Sequence, residues 1–133
     1  MKVLKFDNFL NEAYIRKGKI EQVKKDLKLT FPEFEFSIIK PNYSSIIVYI
    51  LSGPIQLTDD LYGYEEVNHY NLKNQYRNNP EVLGFLEKVY DIVNKGNYSK
   101  YYKKLDYLDI GFYINICIGQ YDKPYVVKNK VLI

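Results

Sequence analysis

The stretch DIGFYINICI, residues 109–118, is the clearest strand in the chain and decides the fold. Large apolar residues alternate along it with smaller or more polar ones, which is the period of a strand that packs one face on a core. The residues expected to face the core are Ile110, Phe112, Ile114, Ile116 and Ile118. Those expected to point away from it are Gly111, Tyr113, Asn115 and Cys117.

The neighbouring segments predict a hairpin and two helices around this strand. Residues 34–40 and 45–51 alternate in the same way, and the turn-forming run PNYS separates them. Residues 19–29 carry an apolar stripe at helical spacing, and residues 80–95 carry a second one. The second helix begins with an Asn-Pro start signal and stops before a glycine.

Three further segments carry weaker patterns. Residues 66–72, EVNHYNL, predict a short edge strand, and residues 97–107 predict a polar, tyrosine-rich loop. Residues 125–127 are expected to pair with the sheet again. Together the patterns predict one α+β domain over residues 13–133, with two helices packed on one face of a largely antiparallel sheet.

Composition and charge narrow the function classes. The 133 residues are 47% hydrophobic and 26% charged, which suits one folded core and is too apolar for a disordered chain. The net charge of +3 does not by itself indicate a nucleic-acid-binding protein. Basic residues nevertheless crowd the N-terminal part, so nucleic acid stays an alternative partner. The phosphate-binding residues in that alternative are Arg16, Lys17, Lys24, Lys25 and Lys28.

The sequence offers little for catalysis. One histidine and one cysteine do not supply the ligands of a zinc site, and the chain has no GxxxxGK[ST] phosphate loop. We therefore expect no metal and no cofactor. The candidate general base is His69, with Asp109 as its partner, and a small enzyme stays a minor alternative. The longest apolar run, residues 45–51, has the length of a strand, so no membrane partner is expected.

Tyrosine is the unusual residue of this composition. The chain has 15 tyrosines and no tryptophan, which suits a binding surface, although an AT-rich genome also favours tyrosine codons. A sheet with helices on one face leaves the other face open to a partner. The residues expected to bind that partner are Tyr49, Asn68, His69, Tyr70, Tyr113 and Asn115.

The first residues, MKVLKFDNFLNEA, resemble the capsid-targeting peptides that large myovirus-type phages carry on proteins destined for the prohead interior. The stretch opens with MK, continues with an aromatic-rich amphipathic turn and ends in LNE before an alanine. The resemblance implies that residues 1–12 are a propeptide, cut by the prohead protease between Glu12 and Ala13. It also implies contact with the phage scaffold. An ordinary N-terminal helix is the alternative.

Most of the remaining chain resembles the large polyvalent protein-associated domain numbered twenty-nine, a small α+β module of phages and mobile elements. The matching pieces are FPEFEFSI, the SGP turn, the KGNY loop and the D-x-GFY strand. Members often carry a W-T-D-G-P-T-like run where this chain has LSGPI, residues 51–55. The resemblance implies no catalytic activity, and it implies delivery into a new host together with phage or plasmid DNA.

The two resemblances together predict a phage internal head protein that is injected with the genome. We expect it to act as a non-catalytic inhibitor of a host defence system, of the anti-restriction or anti-CRISPR type. Its partner is then a host defence protein, and its location is the virion interior followed by the host cytoplasm. A DNA-binding or structural internal head protein is the first alternative, and a small enzyme using His69 is the second.

Overall fold

The computed structural model describes Ile15, residues 17–102 and residues 107–128. Helices and strands are mixed along this part of the chain, so the predicted α+β class is confirmed. In chain order the elements are α1 (Lys19–Thr30), β1 (Glu35–Asn42), β2 (Ser45–Gly53), β3 (Glu65–Val67), α2 (Leu72–Gln75), α3 (Pro80–Asn94), β4 (Ser99–Tyr102), β5 (Tyr107–Ile110), β6 (Tyr113–Ile118) and β7 (Val126–Val127).

The main sheet has the strand order β1-β2-β6-β3. The outer pairs β1–β2 and β3–β6 are antiparallel, whereas the central pair β2–β6 is parallel. Strand β7 also runs parallel to β2 and pairs with it at Ser52 and Gly53, just beyond the residues that β6 pairs. A parallel pair needs a long crossover connection, and the chain through α2 and α3 supplies it.

The core lies between the inner face of this sheet and helices α1 and α3. Alternate residues of β2 and β6 are buried there, as the alternation predicted. The helices contribute one apolar stripe each, at the predicted helical spacing. The most deeply buried residues of this core are Val23, Leu27, Ile46, Val48, Ile50, Val82, Leu86, Val89, Val93, Ile116 and Ile118.

The predicted strand 109–118 is interrupted at Gly111 and Phe112. The Asn97 side chain accepts a hydrogen bond from the Phe112 amide (2.9 Å) and donates one to the Phe112 carbonyl (3.0 Å). A Cβ atom at Gly111 would lie 2.5 Å from Asn97 Oδ1, so glycine permits this close approach. The chain passes here from the two-stranded β4–β5 sheet to the main sheet.

Two other predicted segments differ from the structure. The loop predicted over residues 97–107 is wrong, because Ser99–Tyr102 forms β4 and pairs antiparallel with β5. The predicted edge strand 66–72 is too long, because β3 ends at Val67. The chain turns at Asn68, whose side chain accepts a hydrogen bond from the Tyr70 amide at 3.1 Å. Asparagine favours such turns over a continued strand.

The core begins earlier than the sequence pattern indicates. The apolar stripe predicted a start near Ile20, but Ile15 is already only 7% exposed. Its amide donates a hydrogen bond to the Tyr43 carbonyl at 2.6 Å, which ties it to the β1–β2 turn. Ile15 stands alone between a tyrosine and an arginine. No periodic pattern therefore identifies it as a core residue.

Tyr125 fastens the segment between β6 and β7 to the end of β2. Its hydroxyl donates to the Ile55 carbonyl at 2.7 Å, and its amide donates to the Gly63 carbonyl at 2.9 Å. The phenol is buried, and burial raises the pKa of Tyr125 to about 12 from its usual 10.0. The folded state therefore holds the Tyr125 proton more tightly than the unfolded state does.

This difference predicts an alkaline limit on stability. Between the unfolded pKa near 10 and the folded pKa of about 12, the unfolded chain releases a Tyr125 proton that the folded chain keeps. The contribution of Tyr125 is complete below that window and is lost as the pH rises through it. In urea denaturation, the free energy of unfolding of Tyr125→Phe should fall less steeply with pH than that of the wild type. Parallel curves would contradict this expectation.

Candidate functional site

The outer face of the main sheet carries three of the six expected binding residues, Tyr49, Tyr113 and Asn115. Across the parallel pair β2–β6, Ile47 lies opposite Asn115 and Tyr49 lies opposite Cys117. These side chains alternate with the core residues and therefore point away from the helices. Tyr113 is 46% exposed and Asn115 is also exposed, while Tyr49 is half-buried. This part of the sheet is thus exposed on the side away from the helices, as the alternation predicted.

A groove of about 330 Å³ runs along this face between β2, β6 and β3. The Tyr64 hydroxyl donates to Glu66 Oε1 at 3.4 Å and lies 4.0 Å from Cys117 Sγ. We call the surface formed by Tyr49, Tyr64, Tyr113 and Asn115 the tyrosine face. The side chains that line the groove are Ile47, Tyr49, Tyr64, Glu66, Val67, Asn115, Ile116 and Cys117.

Two ionisable side chains in this groove have raised pKa values. Desolvation raises the pKa of Tyr64 to about 12, and the neighbouring Cys117 and Glu66 act in the same direction. Burial also raises the pKa of the Cys117 thiol, although the hydrogen bond between Cys117 and Tyr64 partly opposes the shift. Both groups are therefore protonated at neutral pH. A protonated, buried thiol is a poor nucleophile, so Cys117 acts as a packing residue.

His69 lies at the sheet edge, on the side of helix α3. Its Nε2 donates to the Ile114 carbonyl at 2.9 Å, and its ring stacks on Tyr90 with 4.9 Å between the ring centres. Its Nδ1 is buried and has no hydrogen-bond partner among the residues that the structure describes. Neither ring nitrogen is therefore presented to a substrate. The side chain of its proposed partner, Asp109, lies outside the described residues.

The expected binding set is consequently divided between two surfaces. Tyr49, Tyr113 and Asn115 lie together on the tyrosine face, whereas Asn68, His69 and Tyr70 lie in the turn after β3. Tyr70 is 85% exposed, and its ring centre is 4.2 Å from that of His69. This turn borders a separate groove of about 540 Å³. The residues lining that groove are His69, Tyr70, Asn71, Leu72, Lys73, Glu87, Tyr90 and Asp91.

The Gln75 side chain covers the outer edge of β3. It accepts a hydrogen bond from the Asn68 amide at 2.7 Å and donates one to the Glu66 carbonyl at 3.0 Å. His69 donates to the Ile114 carbonyl of β6, where β3 does not reach, and Asn97 binds the backbone of Phe112 just before β6. Along this edge, side-chain amide and imidazole groups therefore take the place of another strand.

Four of the basic residues of the nucleic-acid alternative lie on or just before helix α1. Lys17, Lys24, Lys25 and Lys28 are exposed, and Arg16 lies outside the described residues. Lys24 and Lys28 stand four residues apart on one side of α1 and line a groove beside β1, whereas Lys25 does not line it. Lys25 stands three residues before Lys28, so it lies on an adjoining side of the same helix.

Sequence reasoning missed Tyr64 and Glu66, which complete the groove on the tyrosine face. Both lie in or beside β3, after a segment with no apolar period. Their position follows from the β3–β6 register, in which Glu66 lies opposite Cys117. The alternation of residues 109–118 had already pointed Cys117 outward. The missing information was which strand pairs with it.

The described residues hold neither a metal-binding cluster nor a membrane-spanning helix. Within them, no group of three His, Cys, Asp or Glu side chains lies close enough to hold a metal ion. None of the helices in the described part of the chain is long and apolar enough to span a membrane.

Comparison with known proteins identifies no relative of this chain. No protein-family model, no curated protein and no solved structure matches this chain. The resemblances to a capsid-targeting peptide and to a polyvalent-protein domain therefore stay predictions. Any functional conclusion rests on those sequence motifs and on the geometry of the sheet.

Proposed function

We propose that this protein is a phage internal head protein, injected with the genome, that inhibits a host defence system by binding one of its proteins. The tyrosine face is the observation that carries this proposal. Tyr113 and Asn115 are exposed on it beside the half-buried Tyr49 and Tyr64. Aromatic side chains held by a rigid sheet lose little entropy on binding, and such residues dominate many protein interfaces.

The charge on this surface indicates the chemistry of its target. Tyr64 and Cys117 are neutral at pH 7, since the ordinary pKa values of both groups lie above 7 and burial raises them further. Glu66 is exposed and is the carboxylate among the groove-lining residues. We therefore expect the contacted patch of the host protein to be mainly apolar or aromatic, with a basic side chain directed toward Glu66. Such binding inhibits the target by covering a functional surface, and it requires no chemical reaction.

Plating assays on hosts with a restriction or CRISPR system test the proposal. The expressed wild-type protein should raise the plating efficiency of a susceptible phage, and Tyr113→Ala should lose most of that effect. Tyr121→Ala is the matched control, because Tyr121 is 91% exposed and lies off the tyrosine face. Both variants should keep nearly the wild-type melting temperature. Full protection by Tyr113→Ala would show that the tyrosine face is not the inhibitory surface.

The proposal also predicts maturation at the N-terminus. Protein taken from virions should begin at Ala13, because the stretch before it resembles a prohead propeptide. The cut leaves Ile15 in the chain, so the contact between Ile15 and Tyr43 survives it. Intact-mass measurement of virion protein checks the cleavage site. Retention of Met1 in virions would contradict the processing step.

The folded domain should not depend on the propeptide. A chain beginning at Ala13 should melt at the wild-type temperature, because it keeps the buried Ile15. Ile15→Ala in that shortened chain is the informative comparison, and it should cost about 2–5 kcal/mol, the usual range for truncating a buried isoleucine. Failure of the Ala13 chain to fold would show that residues 1–12 belong to the domain.

A DNA-binding internal head protein is the second candidate. Lys24 and Lys28 favour it, since both are exposed and neither is in an ion pair within the described part of the chain. Phosphate binding through these lysines would weaken steeply with salt. A titration of duplex DNA at two salt concentrations, with Lys24→Glu as the variant, separates this candidate from the protein inhibitor.

A further inference from the structure

Strand β1 forms an edge of the main sheet, and β2 is its neighbour on one side. The Ser44 carbonyl accepts from the Tyr113 amide, and the Ile50 carbonyl accepts from the Gly119 amide. Backbone groups of even-numbered residues in β2 therefore face β6. Those of odd-numbered residues face β1, because alternate residues of a strand turn to opposite neighbours.

The register then fixes which groups of β1 point outward. Ser37 lies opposite Tyr49, so its N–H and C=O face β2, and the same holds for Ile39. Phe36 and Ile38 alternate with them and turn their N–H and C=O away from the sheet. No backbone partner meets these groups within the described residues. In the part of the chain that the structure describes, this edge is thus unpaired, in contrast to the edge covered by Gln75.

A groove of about 450 Å³ lies beside the open edge, between β1 and α1. Its floor is apolar and consists of the half-buried side chains of Phe34, Phe36 and Ile38. Its rim carries the ammonium groups of Lys24 and Lys28, which are in no ion pair within the described residues. Glu35 is the carboxylate among the lining residues, and it is paired with Lys128 at 3.9 Å. The edge therefore combines outward backbone groups, an apolar trough and two lysines that are in no ion pair within the described residues.

We propose that β1 is the docking site for an extended acidic segment of a partner protein, which adds to the sheet as a further strand. The backbone of that segment would pair with the outward groups of Phe36 and Ile38. Every second side chain would enter the apolar trough, and acidic side chains would reach Lys24 and Lys28. Backbone hydrogen bonds then supply affinity, and the groove supplies specificity.

Two other occupants fit these features less well. A second copy of the chain would bring its own Lys24 and Lys28 against the same rim, and like charges in contact oppose pairing. A nucleic acid would pair its phosphates with Lys24 and Lys28. It would not supply hydrogen-bond donors at the spacing of the outward carbonyl groups of β1. The site lies on the helix side of the sheet, apart from the tyrosine face, and does not depend on the proposed host target.

Amide hydrogen exchange, followed residue by residue by NMR, tests the docking site. In the free protein, the amides of Phe36 and Ile38 should exchange fast, whereas those of Ser37 and Ile39 should be protected. A soluble peptide of alternating glutamate and valine should slow exchange at Phe36 and Ile38 by about an order of magnitude or more. The amides of Ser37 and Ile39 should change little.

Charge reversal supplies the matched control. Lys28→Glu should weaken binding of the glutamate–valine peptide by about three- to tenfold, because attraction at the rim becomes repulsion. Lys25→Glu makes the same change in net charge on the same helix and should leave the affinity nearly unchanged. Equal weakening by both variants would mean that the peptide responds to overall charge, and it would overturn the proposal.

The remaining outcomes are also decisive. Slow exchange of Phe36 and Ile38 in the free, dilute protein would show that the edge is already paired, which overturns the proposal. Protection that grows with protein concentration in the absence of peptide would assign the edge to a second copy. Binding of a single-stranded oligonucleotide in place of the peptide would assign Lys24 and Lys28 to nucleic acid. Peptide binding without protection of these two amides would exclude strand addition.

Discussion

Replacing Phe112 by alanine is expected to lower the free energy of unfolding by about 3–5 kcal/mol, the range for truncating a buried aromatic side chain. Phe112 is 7% exposed and belongs to the main core. Its backbone is fixed by the Asn97 amide group, and the Lys19 ammonium lies 5.1 Å from its ring centre. Because these contacts hold Phe112 from several sides, the neighbouring residues have little freedom to move into the cavity that the substitution leaves.

Tyr113→Ala is the control for this substitution, since it removes an aromatic ring from the next residue on the opposite face. It should leave the free energy of unfolding nearly unchanged, because Tyr113 is far more exposed than Phe112. Urea denaturation of both variants measures the difference. Comparable destabilisation would show that both faces of β6 belong to the core, and the tyrosine face would then not be a binding surface.

Replacing Gly119 by alanine is expected to have the second large effect. Gly119 has a φ of +74°, in the left-handed region, and a Cβ atom there would run into the Gly63 carbonyl oxygen and lie 2.9 Å from the Tyr125 amide nitrogen. The backbone strain costs about 1–2 kcal/mol and the overpacking about 1–3 kcal/mol. We therefore expect a loss of about 2–5 kcal/mol in the free energy of unfolding.

Gly96→Ala separates the two contributions. Gly96 follows helix α3 with a φ of +79°, close to that of Gly119, and its Cβ position has no neighbour within 4 Å. Alanine there should cost only the backbone part, about 1–2 kcal/mol. Thermal or urea unfolding measures the free energy of unfolding of both variants. The loss in Gly119→Ala minus the loss in Gly96→Ala gives the steric contribution at Gly119. Equal losses would mean that the contact between Gly119 and Gly63 relaxes without cost.

The elements that sequence patterns predict well are those with local signals. Helix α3 begins as expected, since Pro80 is its first residue and the Asn79 side chain accepts from the Val82 amide at 3.3 Å. The β1–β2 hairpin follows from alternation and from the turn between its strands. In both cases the determining contacts lie within a few residues of each other, so a single stretch of sequence contains them.

Features that depend on distant contacts could not be predicted in the same way. The parallel β2–β6 pair joins segments on either side of a long crossover, and alternation does not encode strand direction. The break at Gly111 requires Asn97 to reach Phe112 from an earlier turn. On the tyrosine face, alternation placed Tyr113 and Asn115 correctly. Alternation did not indicate that His69 lies on a different surface from these two residues.

The different treatment of the two sheet edges limits how this protein can polymerise. An open-ended cross-β fibre requires every subunit to offer two free edges, one for each neighbour. Here Gln75, His69 and Asn97 occupy backbone groups along one edge of the main sheet, and the described residues leave the outer edge of β1 unpaired. Copies joined through β1 would form a closed pair whose joined main sheet ends on both sides in the edge covered by these side chains. Crowding many copies into a small volume therefore favours separate molecules or pairs over fibrils.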